Sequence, residues 1–90
     1  MLRIFMEGKK LILEKKTGEV TVKIDAENNG GNICFLNEYR VEIGHGRYSV
    51  KPTRIIIENM TLMHAYNGKR LQQKAMTMIK NHYHISEFHC

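Results

Sequence analysis

From Glu19 to Asp25 the chain alternates without a break, with Val20, Val22 and Ile24 set against Glu19, Thr21, Lys23 and Asp25. In an extended backbone this sends three aliphatic side chains to one face and four polar ones to the other. A period of two with one wet face predicts antiparallel sheet. The alternation recurs with Tyr39, Val41 and Ile43 against Glu38, Arg40 and Glu42, and again with Tyr48 and Val50 against Ser49 and Lys51. Both stretches read as strands, their apolar residues facing a core, with Gly44-His45-Gly46 as the tight connection between them. Gly8, Thr17-Gly18 and Asn28-Asn29-Gly30-Gly31-Asn32 supply the remaining turns. The unbroken triplets Leu11 to Leu13 and Ile55 to Ile57 suit strands covered on both sides, and Pro52 places the second at a bend or an edge. Arg3 to Leu13 reads as one hairpin or as one strand bent around Gly8.

At Asn67-Gly68 the period changes. At 100° per residue, Leu71, Ala75, Met78, Ile79, His82 and Ile85 fall on one side of a helix. Lys69, Arg70, Gln73, Lys74, Thr77, Lys80, Asn81 and His84 fall on the other. Starting the helix near Thr61 would put Leu62, Met63 and Tyr66 on the charged face, so the break belongs at Asn67-Gly68 with Asn67 as N-cap. Residues 61 to 66 read either as the end of the last strand or as a short helical turn. The expectation is a single α+β domain over residues 1–90. An antiparallel β-meander of five or six strands occupies 1–66, one amphipathic basic helix over 67–85 packs on it through Leu71, Ala75, Met78 and Ile79, and 86–90 is a tail. Ninety residues make one modest core.

Charge sharpens this picture. Residues 1 to 42 carry seven Lys/Arg and seven Asp/Glu; residues 43 to 90 carry seven Lys/Arg against Glu58 and Glu87 alone, so the formal +5 lies wholly in the second half. Such asymmetry suits an anionic partner. Lys69 and Arg70 are expected in the first helical turn, where the macrodipole already disfavours cations by about 0.3–1 kcal/mol, and an anion there would relieve the conflict. The same face also reads as a solvated, lysine-rich surface. A second candidate is Gly44-His45-Gly46-Arg47: flanking glycines would let the backbone approach a phosphate, and Arg47 offers a planar fork. By period two, Arg47, Ser49 and Lys51 share a strand face. The plain alternative is a turn that needs glycine.

Other chemistry is sparse. His82, His84, His89, Cys90 and His64 are metal-ligand types, but His82 and His84 point to opposite sides of a helix and no CxxC accompanies them, so no metal and no cofactor is expected. Cys34 in the apolar run Ile33 to Leu36 reads as a reduced core thiol. No Walker loop and no nucleophile with an adjacent base is present, so the chain is read as a non-enzyme. No stretch reaches the roughly 20 apolar residues of a membrane helix, and the start MLRIFMEGKK meets Glu7 before any signal core, which predicts a cytoplasmic protein without membrane contact.

Two functions fit these residues. The first is a small basic protein that engages nucleic acid or another polyanion through Lys69, Arg70, Lys74 and Lys80 on the helix together with His45, Arg47 and Lys51. The second is a small inhibitor or regulator, of the kind phages direct at host defence, that docks on a nucleic-acid-handling host complex by protein–protein contact. Adaptable methionines at 60, 63 and 76 would serve it. A homodimer would form either by a strand such as Leu2 to Met6 pairing with a copy of itself or by a second helix covering the first, and the sequence leaves the oligomeric state open.

Overall fold

A computed structural model of the chain describes residues 2–89, apart from the side chains of residues 67–69. The strands are β1 (Leu2–Glu7), β2 (Lys10–Thr17), β3 (Val20–Asp25), β4 (Gly30–Leu36), β5 (Glu42–Val50), β6 (Ile55–Leu62) and β7 (Phe88–His89). They form one sheet in the order β1-β2-β3-β4-β5-β6-β7. Every neighbouring pair is antiparallel except β6 and β7, which run parallel. A 3-10 helix, His64–Lys69, leads into α1 (Leu71–Tyr83), the one α-helix among the described residues. The expected α+β meander with a C-terminal helix is therefore observed, with seven strands in place of five or six. Among the described residues, no helix is long and apolar enough to cross a membrane.

The core forms where α1 lies on the sheet along β3. Leu71, Ala75, Met78 and Ile79, the stripe that the helical period singles out, are its buried residues. They meet Val20, Val22 and Ile24 of β3, Ile33 and Phe35 of β4, and Ile43, Tyr48, Ile55 and Ile57 farther along. Burying each large aliphatic side chain contributes about 1.5–3 kcal/mol, which outweighs what propensity alone gives a helix of this length. The C-terminal end of α1 is fastened by Tyr83. Its hydroxyl donates to Glu27 O and lies 3.1 Å from the hydroxyl of Tyr48, which donates to Asp25 O at 2.6 Å. Burial raises the pKa of both phenols, so both remain neutral donors at ordinary pH.

Several local expectations are corrected. Gly44-His45-Gly46 is no turn: all three lie inside β5. The glycines stand opposite Phe35 and Ile33, a small residue facing a large one across the β4–β5 pair. A Cβ at Gly44 would fall 2.6 Å from Thr61 O, and one at Gly46 would fall 2.7 Å from Asn59 O, so close approach of β6 is what requires glycine here. The stretch from Tyr39 to Val41 is not a strand. Asn37 Oδ1 accepts the backbone N–H groups of Tyr39 at 2.9 Å and Val41 at 3.0 Å, closing a loop that leaves Tyr39 77% exposed and Val41 exposed as well. Thr61 and Leu62 complete β6, and the helix begins at Leu71 with Arg70, not Asn67, as its N-cap residue. The side chain of Asn67 lies outside the described residues. The helix ends at Tyr83 with His84 as left-handed C-cap, and the predicted tail returns to the sheet as β7 beside Ile55 and Ile56.

Candidate functional site

Because α1 lies along β3, the sheet extends beyond it on the β1 side. There the helix-side residues of β1 are Leu2, Ile4 and Met6, paired with Lys15, Leu13 and Leu11 of β2. Leu13 is buried, whereas Ile4 is 59% and Met6 60% exposed. The step from helix to strand makes a groove of about 760 Å³. Leu2, Ile4, Leu13 and Met78 give it apolar lining; Lys15 from the sheet and Arg70 and Lys74 from the helix add three cations, with His82 and His84 further along α1. Among the described residues, no carboxylate lines it.

The placement of these cations follows from the local fold. Lys74 lies one helical turn after Arg70, and its N–H donates to Arg70 O at 3.2 Å. Arg70 itself adopts φ 56°, a left-handed conformation unusual for a residue with a Cβ, at the joint between the 3-10 helix and α1. No side chain caps this N-terminus and the first turn holds no acid. Lys15 enters from β2 because its partner across the β2–β3 pair is Val22, a core residue, so both project to the helix side.

Ion pairs divide the molecule in the same way. Glu14 lies 3.5 Å from Arg3 and 3.6 Å from Arg40; Glu7 lies 3.3 Å from Lys23, and Asp25 lies 3.7 Å from Lys10. All of these residues belong to the charge-balanced first half of the chain. Among the described residues, no ion pair engages Lys15, Arg70, Lys74 or Lys80. Part of the positive excess of the second half is therefore gathered in the helix layer, where Lys15, Arg70, Lys74 and Lys80 stand without acidic partners among the described residues.

The residues singled out from the sequence separate into two groups. Arg70 and Lys74 line the groove, and Lys80 is exposed farther along α1. Lys69 closes the 3-10 helix, its side chain outside the described residues. His45 and Arg47 stand on the other face of the sheet: they pair with Cys34 and Asn32, whose chain neighbour Ile33 is in the core. His45 lies 3.6 Å from Glu42. Lys51 is exposed in the bend after β5, and its N–H donates to Arg54 O, so it does not share a strand face with Arg47. The sheet thus stands between the helix cations and the Arg47 group, and the two do not form one surface.

The remaining candidates are occupied locally. His82 packs edge-on against Tyr83, His84 N–H donates to Lys80 O at 2.8 Å, and His89 lies 3.1 Å from Glu87. Cys90 lies outside the described residues. Among those described, no group of three His, Cys, Asp or Glu side chains is placed to hold a metal ion. Cys34 is half-buried on the outer face and not in the core, and its Sγ donates to Glu42 at 3.5 Å. Burial first, and then the Glu42 carboxylate, push the thiol pKa up to about 11.

Sequence reading missed Lys15, Leu2 and Ile4 as parts of a site. Nothing local distinguishes them, since they join Arg70 only through the β1–β2 register and the position of the helix. The alternation of Leu2, Ile4 and Met6 with Arg3, Phe5 and Glu7 was the available signal. No family model, no curated protein and no solved structure matches this chain.

Proposed function

We propose that this protein is a non-catalytic docking protein whose groove between α1 and β1 takes an acidic, amphipathic segment of another protein. The observation that carries the reading is the groove's composition: an aliphatic floor bordered by Lys15, Arg70 and Lys74, with no carboxylate in the lining. An amphipathic segment presents an apolar stripe to such a floor and acidic flanks to such a rim. The rim charges would steer encounter and set orientation, and the floor would supply buried apolar area. Exposed Met6 adds adaptable apolar surface on the helix side of β1.

The floor also favours a protein segment over nucleic acid. Single-stranded nucleic acids are held by aromatic rings on which bases stack. Here the groove's floor is aliphatic, its rings are confined to the imidazoles of His82 and His84, and Phe35 and Tyr48 are buried in the core. The separation of Arg47 from the helix cations further reduces the phosphate contacts that one surface can offer. The thiol of Cys34, pushed up to about 11, is a poor nucleophile near neutrality, in keeping with a non-enzyme.

The test compares two probes on the full chain: helical peptides carrying leucines on one face and glutamates on the other, and a pool of single- and double-stranded DNA and RNA at about 50 and 200 mM salt. Peptide binding that is lost on charge reversal at Arg70 and Lys74, and equally on Ile4→Glu, with the melting temperature kept near wild type, is the expected result. Oligonucleotide binding that falls by orders of magnitude between the two salts and ignores Ile4→Glu would replace this reading with phosphate neutralisation. Binding of neither probe would overturn both.

A further inference from the structure

The two edges of the sheet are unlike. One ends in the two-residue β7, laid against a β6 whose pairing with β5 is interrupted by a register shift at Arg47/Tyr48. The other is β1, six residues in unbroken register with β2 from Leu2↔Lys15 to Glu7↔Lys10. It contains no proline and no bulge, two of the devices that blunt an edge, and its charges Arg3 and Glu7 are of opposite sign. Among the described residues β1 has no neighbour on its outer side. Its helix-side residues Leu2, Ile4 and Met6 are all exposed.

We infer that β1 pairs antiparallel with β1 of a second copy of this chain, about a two-fold axis at Phe5, to make one continuous sheet. The register follows from the sequence of the strand. A two-fold axis perpendicular to the sheet keeps helix-side residues on the helix side, so only like-facing residues stand opposite each other. This leaves two full registers, one centred on Ile4 and one on Phe5. Centring on Phe5 sets Arg3 of each copy opposite Glu7 of the other, twice by symmetry, and sets Ile4 opposite Met6 on the helix side. Centring on Ile4 forms neither ion pair. The side chains of Arg3 and Glu7 are 67% and 62% exposed, so each can reach across the new pair while keeping its partner within the chain.

The pairing changes the groove without filling it. Both helices come to the same side of the joined sheet, and the strips Leu2, Ile4 and Met6 of the two copies become one floor between them. With strands about 4.8 Å apart, the two α1 axes over β3 stand about 24 Å apart, leaving about 14 Å between helix surfaces of about 10 Å diameter. That trough is wide enough for a single α-helix and is bordered from both sides by Lys15, Arg70 and Lys74. The pairing itself stands on β1 alone and holds whatever occupies the groove.

Sedimentation equilibrium of the full chain at submillimolar concentration is expected to give twice the 10.5 kDa chain mass. Arg3→Glu or Glu7→Arg alone sets like charges across the two-fold axis and shifts the mass to monomer. The double variant restores opposite pairing between copies, although it worsens the contacts of both residues with Glu14 and Lys23 inside the chain, and is expected to recover the dimer. Oxidation supplies a second readout in a Cys34→Ser, Cys90→Ser background. There Phe5→Cys links two chains, because Cα atoms of directly opposed residues lie about 4.5–5.5 Å apart, within disulfide reach. A wild-type chain at monomer mass overturns the proposal, and so does linkage through Ile4→Cys instead of Phe5→Cys.

Discussion

The outer face of the sheet and the layer beside α1 each present cations to solvent, but under opposite conditions. On the outer face Arg3, Lys10, Lys23 and Arg40 stand near Glu14, Asp25 and Glu7, at 3.3 to 3.7 Å. Exposed pairs of this kind contribute about 0–1 kcal/mol each, and their main effect is to offset most of the field of those cations. Beside α1, Lys15, Arg70 and Lys74 border aliphatic side chains in a lining that has no acid. Charge that is balanced inside the fold serves the fold, whereas charge left unbalanced next to exposed apolar surface is available to a partner. The contrast also applies along a single strand pair: Leu13 under the helix is core, and Ile4 directly opposite it is groove floor.

The strongest way to break the comparison is to truncate one aliphatic residue on each side of the helix's reach. Ile79→Ala, at a fully buried position, is expected to cost about 2–5 kcal/mol in urea unfolding. Ile4→Ala, measured dilute enough for the chain to be monomeric, should stay within about 0.5 kcal/mol of wild type. Equal losses would mean that the β1 flank is core after all. A smaller effect is expected from Gly44→Ala, whose new Cβ would crowd Thr61 O at 2.6 Å; about 1–3 kcal/mol should be lost on thermal melting. A neutral result would return Gly44 to the role of a turn residue. Tyr48→Phe removes the donor to Asp25 O and should cost about 0.5–1.5 kcal/mol, or more where that carbonyl is left unpaired.

The outer face gives a pH-dependent prediction with little expected effect near neutrality. Because the folded chain holds the Cys34 thiol up to about 11 against an ordinary 9.0, the neutral form is the one that folding favours. Its stabilising contribution is therefore complete below pH 9 and is lost as pH rises through about 11. In a Cys90→Ser variant, thiol alkylation should keep accelerating above pH 9 instead of levelling off, and Glu42→Gln should speed it at pH 9. A plateau near pH 9 would show that neither burial nor Glu42 acts on the thiol.

What could be read from the sequence was whatever a single element decides. The stripe Leu71, Ala75, Met78 and Ile79 is a property of one helix, and the alternation of Val20, Val22 and Ile24 is a property of one strand; both appear in the core as written. What failed depended on a neighbour. Gly44 and Gly46 resemble turn glycines until β6 is laid against them, and Tyr39 and Val41 keep a perfect alternation that Asn37 overrides with two hydrogen bonds. The site divides along the same line. Arg70, Lys74 and Lys80 came from the helical period, whereas Lys15 and Ile4 became visible only with the strand register, and the joining of Arg47 to the helix cations failed because a whole sheet lies between them.

The nearest-neighbour order of the first six strands also governs how the chain comes to be folded. Each hairpin closes a short loop between segments adjacent in sequence, so the sheet has unusually local pairing for a β structure and should form quickly. During synthesis, however, residues 2–62 leave the ribosome before α1 does, at about 5–20 residues per second. For a time on the order of seconds the nascent sheet has its face of Val22, Ile24, Phe35 and Ile55 bare, because α1, which covers it, is made after β1 to β6. A chain truncated before Leu71 would therefore hold the six-stranded meander without its lid, a natural client for a holdase chaperone.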